Sequence, residues 1–385
     1  MRLRVVLLVY LALFVGDLSW TGITPLIPSY IEQYSLTAVE GGLVLSIASL
    51  GILVASLPAG YLTRRASPRA LTMTSMVFVA LGGFAMTLSS SYVAILASRL
   101  VFGLGFGTLW VAMAAWLADA AGPQAPKVLA GTTAVVGVSS MLGPTYAGWM
   151  AQHFSLSTPF VGLAAITTVL FVLLLLDRSG TGLRKDPAPP LRDLARAATR
   201  DPDLVTMLLL TIAAAVVWMT ADLLVPLRLD AGGYDIAHIG VLFSVASLTF
   251  IVSSTITARA ADRWARPGIA AGATAGLAAA CLVPALFLGV PASLVFLVGA
   301  ALATGITVSL TYPFGLYAVE RGAVTVAVMS ALANIIWALA GMAGPSLGGA
   351  FAEWAGDRMA FALLAVLSLV VAVVVVRKAQ PSVTS

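Results

Sequence analysis

Charge is scarce in this chain of 385 residues: Lys, Arg, Asp and Glu together make up 10% of it. Soluble domains carry about 25% charged residues. With 60% hydrophobic residues and a mean hydropathy of +1.01, a water-soluble globule could not cover its apolar surface with a polar shell. Cysteine is nearly absent. The single Cys281 excludes an intramolecular disulfide and reads as a small apolar residue. The two histidines, His153 and His238, fall in expected loops and match no metal-ligand spacing. No metal or cofactor is expected. There is no Gly-Lys-Ser/Thr element, and Gly103-Leu-Gly105-Phe-Gly107 lies inside an apolar run, so nothing here reads as a phosphate loop.

Long apolar runs fill the chain instead. A membrane-spanning helix needs about 20 apolar residues. Runs at 5–29, 39–61, 70–89, 92–117, 128–151, 158–176, 204–227, 237–258, 268–289, 291–317, 323–351 and 358–376 predict twelve of them. The first run is too long for a signal-peptide core and lacks a small-residue cleavage site, so it is expected to be a retained span. Cytoplasmic loops carry excess Lys and Arg. With both termini inside, eighteen of the 21 basic residues fall on the inner side and only Arg228 and Arg358 on the outer. That asymmetry explains the formal charge of +5 without nucleic acid. The expected organisation is all-α: a six-helix bundle over 1–177, a Pro- and Arg-containing cytoplasmic linker over 178–203, and a second six-helix bundle over 204–385.

The two halves repeat each other. Pro28, Gly42, Ser46 and Ala48-Ser49-Leu50 match Pro226, Gly240, Ser244 and Ala246-Ser247-Leu248 at an offset of 198. Asp119 matches Glu320, and Gly143-Pro144 matches Gly344-Pro345, at 201. Duplicated six-span halves are the mark of proteins that rock about a central site.

Three stretches carry a family resemblance. Gly60-Tyr-Leu-Thr-Arg64-Arg65-Ala-Ser-Pro-Arg69 is similar to a Gly-x-Leu-x-Asp-Arg-x-Gly-Arg-Lys signature, with Arg64 in the aspartate's place and Ser67 in the second glycine's. The matching loop, Ala261-Asp262-Arg263-Trp264-Ala265-Arg266, keeps the aspartate. Arg99-Leu-Val-Phe-Gly103-Leu-Gly105 resembles an Arg-x-x-x-Gly-x-Gly pattern. Gly143-Pro144-Thr-Tyr-Ala-Gly148 resembles the Gly-Pro-x-x-x-Gly signature of exporters. Over nearly its whole length the chain resembles the major facilitator superfamily, and within it the twelve-span drug:proton antiporters. The resemblance implies a membrane transporter, not an enzyme; the short loops and Ala/Gly-rich composition suggest a bacterial plasma membrane. The resemblance also implies proton-coupled efflux of a small molecule by a monomer embedded in the lipid bilayer. An importer of a nutrient or metabolite is the alternative, and a lipid flippase on the same fold a further one.

Residues can be assigned to parts of such a carrier. On a helix turning about 100° per residue, Gly137, Pro144 and Gly148 fall within about 40° of one another. With Gly143 they form either a packing seam or a bending seam, which Gly341, Gly344, Pro345 and Gly348 repeat. Arg64, Arg65 and Arg69 either obey the positive-inside rule alone or pair with Asp119 as a cytoplasmic gate. Asp262, Arg263, Arg266 and Glu320 offer the matching cluster.

Three ionisable residues sit inside expected spans: Asp17, Arg99 and Asp222. A charge there costs at least about 2.5–3.5 kcal/mol, so such groups usually face a cavity and have a task. A carboxylate set in an apolar wall can exchange a proton. Asp17 is the first choice of carrier. Asp222 is the alternative carrier or a counter-charge to Arg99. Trp20 lies three residues after Asp17, and Trp218 four before Asp222, so each shares its carboxylate's face. Trp110, Tyr312, Asn334 and Trp337 are further candidates; each of these rings and side chains either packs between helices or anchors at the interface, or lines a cavity that would suit a lipophilic or cationic solute.

Overall fold

The computed structural model describes residues 2–62, 65–176, 201–324 and 326–379, less the side chains of a few helical residues among them. The described residues form fourteen α-helices and no strand. Among the described residues twelve helical stretches are long and apolar enough to cross a membrane, the number expected from the hydropathy runs. The first is broken. α1 (Leu3–Thr21) gives way to a 3-10 turn at Thr24–Leu26 and then α2 (Ile27–Tyr34). Pro25 and Pro28 lack the N–H that would continue the α-helical ladder. After the break the span runs on to Tyr34, past the end expected from the sequence.

α3 (Ala38–Leu62), α4 (Pro68–Leu88), α5 (Tyr92–Ala121), α6 (Ala125–His153) and α7 (Thr158–Leu175) follow. Beyond the linker come α8 (Pro202–Ala231), α9 (Ile236–Arg259), the short α10 (Ala261–Trp264), α11 (Pro267–Leu286), α12 (Val290–Glu320), α13 (Val326–Ala355) and α14 (Asp357–Ala379). Ser67, Ser91 and Asp201 begin α4, α5 and α8, each accepting a first-turn backbone N–H on its side-chain oxygen. Most of the expected linker, Arg64 and the Asp262 side chain lie outside the described residues.

Two compact units divide the chain: Met1–Ala188 with Tyr234–Ser244, and Pro189–Gly233 with Val245–Ser385. In the first, α5 is the central helix and packs on α3 and α4, while α1 packs on α6 and α7. Gly103 and Gly107 make the α3–α5 approach possible, since a methyl group on either would overlap the backbone of Ala48 or Ile52. Leu13, Phe102, Phe106, Leu109 and Trp116 lie in the core of this unit. In the second unit α8 packs on α12 and α13, and α11 on α14. Phe296 of α12 and Phe361 of α14 meet edge to face at 4.9 Å.

The two basic residues that break the charge asymmetry share one job here. Arg228 donates to the Pro284 carbonyl, and Arg358 donates to those of Ala285 and Leu286. Together they satisfy carbonyls left open at the C-terminus of α11. Arg228 also pairs with Asp357 and lies 4.6 Å from the centre of the Phe361 ring.

Candidate functional site

α1 carries Asp17 one turn before its break, where Thr21 donates back to the Asp17 carbonyl at 2.9 Å. The carboxylate is buried, 5% exposed. One of its oxygens, Oδ2, accepts from Ser139 at 2.6 Å and from Ser140 at 2.8 Å, both on α6. The helix crossing beside it is close. A methyl group on Gly143 would overlap Thr21, and one on Gly22 would meet the Cβ of Ala147 at 3.0 Å. Small residues on both helices therefore bring the carboxylate within reach of the serines.

An aromatic column rises along α5 beside this pair. The Arg99 guanidinium lies 5.0 Å from the centre of the Phe102 ring. Phe102 stacks on Phe106 at 5.5 Å; Phe106 stacks on Trp20 at 6.1 Å and meets Trp110 edge-on at 6.3 Å. Phe106 also touches Gly16, next to Asp17. The spacing 99, 102, 106, 110 is one face of a helix, and it joins Trp20 and Trp110 into one wall with Asp17 at its side. Arg99 is 1% exposed. Its Nε and Nη2 have no hydrogen-bond partner among the described residues, and no ion pair joins it to Asp17. The cation is held by the ring face of Phe102.

In the second unit Asp222 is half-buried on α8. One turn away, Trp218 lies 5.6 Å from Phe250 of α9, ring centre to ring centre. Thr220 donates to the Gly344 carbonyl at 3.2 Å, and its side chain fills the space beside Gly344 and Gly348. Trp337 is half-buried, while Asn334 and Tyr312 are exposed. Gly148 packs on the Ile236 backbone and Gly240 on the Pro144 carbonyl, both within the first unit, where Thr145 and Ser244 also bond at 2.7 Å.

The pattern of the Major Facilitator Superfamily matches residues 9–341, and matches again over 207–384. The chain belongs to the major facilitator superfamily. It is thus a multi-pass membrane transporter rather than an enzyme. Solved facilitator structures are similar in fold. A bacterial homologue of the human lysosomal transporter Spinster, inward-facing and unoccupied, superposes with a TM-score of 0.74 at 15% identity, covering 98% of this chain and 95% of its own. The peptide transporter POT in complex with sulfate gives a TM-score of 0.75 at 15% identity, covering 97% and 94%.

The described residues of the expected gate lie as follows. Asp119 is exposed and makes no ion pair with Arg65 or Arg69 among the described residues. Arg69 donates to the Leu175 carbonyl at 3.0 Å, capping α7. Arg263, Arg266 and Glu320 are exposed. The ion cluster of this region is one residue on: Arg321 grips Asp201 at 2.8 Å and Asp203 at 2.5 Å. Burial opposes the charge of Asp201, but the Leu204 N–H and Arg321 outweigh it and hold the carboxyl below the ordinary range. Sequence reasoning missed Ser139, Ser140, Phe102, Phe106 and this clasp. The α5 spacing could have revealed the two phenylalanines. Nothing along the chain links Ser139 to Asp17, 122 residues away.

Proposed function

We propose that this facilitator is a proton-coupled exporter of a small lipophilic or cationic solute, working by alternating access. In this reading its two six-helix bundles, 1–177 and 204–385, sit in the cell membrane with both termini in the cytoplasm. The observation that carries the reading is Asp17: a buried carboxylate in no ion pair among the described residues, beside the ring wall of Trp20, Phe106 and Trp110. An aromatic wall with a carboxylate at its side, away from the Arg99 end of the column, suits a flat or greasy cation. Neutralising Asp17 with a proton releases such a solute, and losing the proton restores its binding. Inward proton flow then drives outward solute movement. Asp222 with Trp218 offers a second carboxylate–aromatic face. In this reading the Gly143-Pro144 seam gives the helix bend that alternation needs.

The test uses purified full-length protein in proteoliposomes with a pH dye sealed inside. Adding a toxic lipophilic cation at the exporting face should release protons in strict proportion to solute moved. An efflux-deficient host expressing the chain should tolerate such compounds better. Raised sensitivity with downhill uptake and no proton movement would contradict export.

A further inference from the structure

Asp17 and the Gly-Pro turn of α6 are joined by an arrangement the export reading does not use. The Ser139 oxygen lies 2.6 Å from Asp17 Oδ2, and 3.0 and 2.9 Å from the carbonyls of Val135 and Val136 on its own helix. A hydroxyl has one proton to give. Ser139 must therefore choose between the carboxylate on α1 and a carbonyl on α6. Ser140, at 2.8 Å, adds a second donor to the same oxygen. Four residues after Ser140 comes Pro144, flanked by Gly143, which lies against Thr21 and Leu18 of α1.

We propose that Ser139 and Ser140 are positioning residues that make the grip of α1 on the Gly-Pro turn of α6 depend on whether Asp17 carries a proton. This rests on the reading of Asp17 as the proton carrier. When Asp17 is ionised, both hydroxyls donate to it, and hydrogen bonds to a charged acceptor are roughly twice as strong as neutral ones. When a proton from solvent binds the carboxyl, that oxygen becomes a poorer acceptor. Ser139 then turns to the Val135 or Val136 carbonyl, as helical serines readily do. The cross-helix link weakens at the turn where the proline has already freed the α6 backbone. Loss of the proton to solvent restores it. Protonation is thereby read out as a change in how firmly two helices are tied.

Among the described residues no other ionisable group competes for that role. α7 carries none, and α4 only Arg69, bonded to the Leu175 carbonyl. α5 brings Arg99, held on Phe102, with Tyr92 bonded to the Glu40 carbonyl and Asp119 exposed near its C-terminal end. α6 brings Tyr146, bonded to the Pro159 carbonyl, with Lys127 and His153 near its ends. Tyr10 of α1 bonds the Val128 carbonyl, and Arg4 lies at the helix start. Among the described residues, none of these hydrogen-bonds or ion-pairs with Asp17.

The test is an infrared pH titration of the full-length protein in lipid. The band of the protonated Asp17 carboxyl is identified by its loss in Asp17→Asn. In Ser139→Ala/Ser140→Ala the midpoint should move to higher pH by about tenfold in proton concentration, because two donors to the charged form are gone. The band should also shift to the frequency of a less hydrogen-bonded acid. Ser139→Thr/Ser140→Thr, which keeps both hydroxyls, should return the midpoint towards wild type. Should the double variant fold poorly, Ser140→Ala alone, at a half-buried position, should show the same shift at smaller size. An unchanged midpoint in a folded variant lacking the hydroxyls overturns the proposal. Transport by Asp17→Asn is measured in parallel. Undiminished proton-driven export there rejects Asp17 as carrier, whatever the infrared titration reports about the serines.

Discussion

Where α1 crosses α6, Gly143 lies against Thr21 and Leu18; where α8 crosses α13, its counterpart Gly344 lies against Met219 and Thr220. The two crossings are one packing solution used twice. They differ in what sits beside them. At the offset of 198 Asp17 becomes Ala215, and at 201 Ser139 and Ser140 become Ala340 and Gly341. The second crossing is closed by apolar residues, with Ala215 0% and Ala340 4% exposed. A crossing of this kind therefore packs without a carboxylate. The Asp17–Ser139–Ser140 cluster is an addition to the seam, and its cost in a membrane asks for a use.

This comparison can be broken in stability measurements. The largest effect is expected from Ala215→Asp, which puts a carboxylate into the second crossing without its serines. It should lower stability by about 2.5–3.5 kcal/mol, the cost of an uncompensated charge inside a span. The mirror change, Asp17→Ala, should leave thermal stability unchanged or raise it. Equal destabilisation by both would mean that the cluster is structural. A smaller effect is expected at the glycines. Gly143→Ala places a methyl group on Thr21, whereas in Gly344→Ala the nearest atoms lie at 3.1 to 3.3 Å. Overpacking costs about 1–3 kcal/mol, so melting of the first variant should fall further than that of the second.

The smallest effect concerns Arg321. Removing it with Arg321→Ala should cost no more than about 1 kcal/mol at neutral pH, because the guanidinium is half exposed and solvent screens the pair. Asp201 is held below its ordinary range in the folded chain. Its contribution is therefore present above the unfolded carboxylate range and lost as pH falls through the folded value. Melting curves of wild type and Arg321→Ala should differ at neutral pH and converge in acid.

Much of the fold was legible in the chain. Each span announces itself by its apolar run, and the repeat fixes the pairing of the halves at the level of Gly143 with Gly344. The break in the first span was less so, because Gly22, Thr24 and Pro25 interrupt the helix without interrupting hydropathy. Asp17, Trp20 and Trp110 could be chosen as a site because a charge or a ring inside a span is unusual. Ser139 and Ser140 could not, since a membrane helix hides a serine hydroxyl easily by bonding its own backbone. Only the approach of α6 to α1 gives them a partner. The same limit hid Arg321, whose partners are set by how the starts and ends of helices meet.

The central claim is that Asp17 carries the proton that drives export. The most direct measurement is solute movement by Asp17→Asn in proteoliposomes, with and without an imposed pH gradient. The account predicts that uphill, gradient-driven export disappears while downhill exchange of solute persists. Uphill export at the wild-type rate would contradict it.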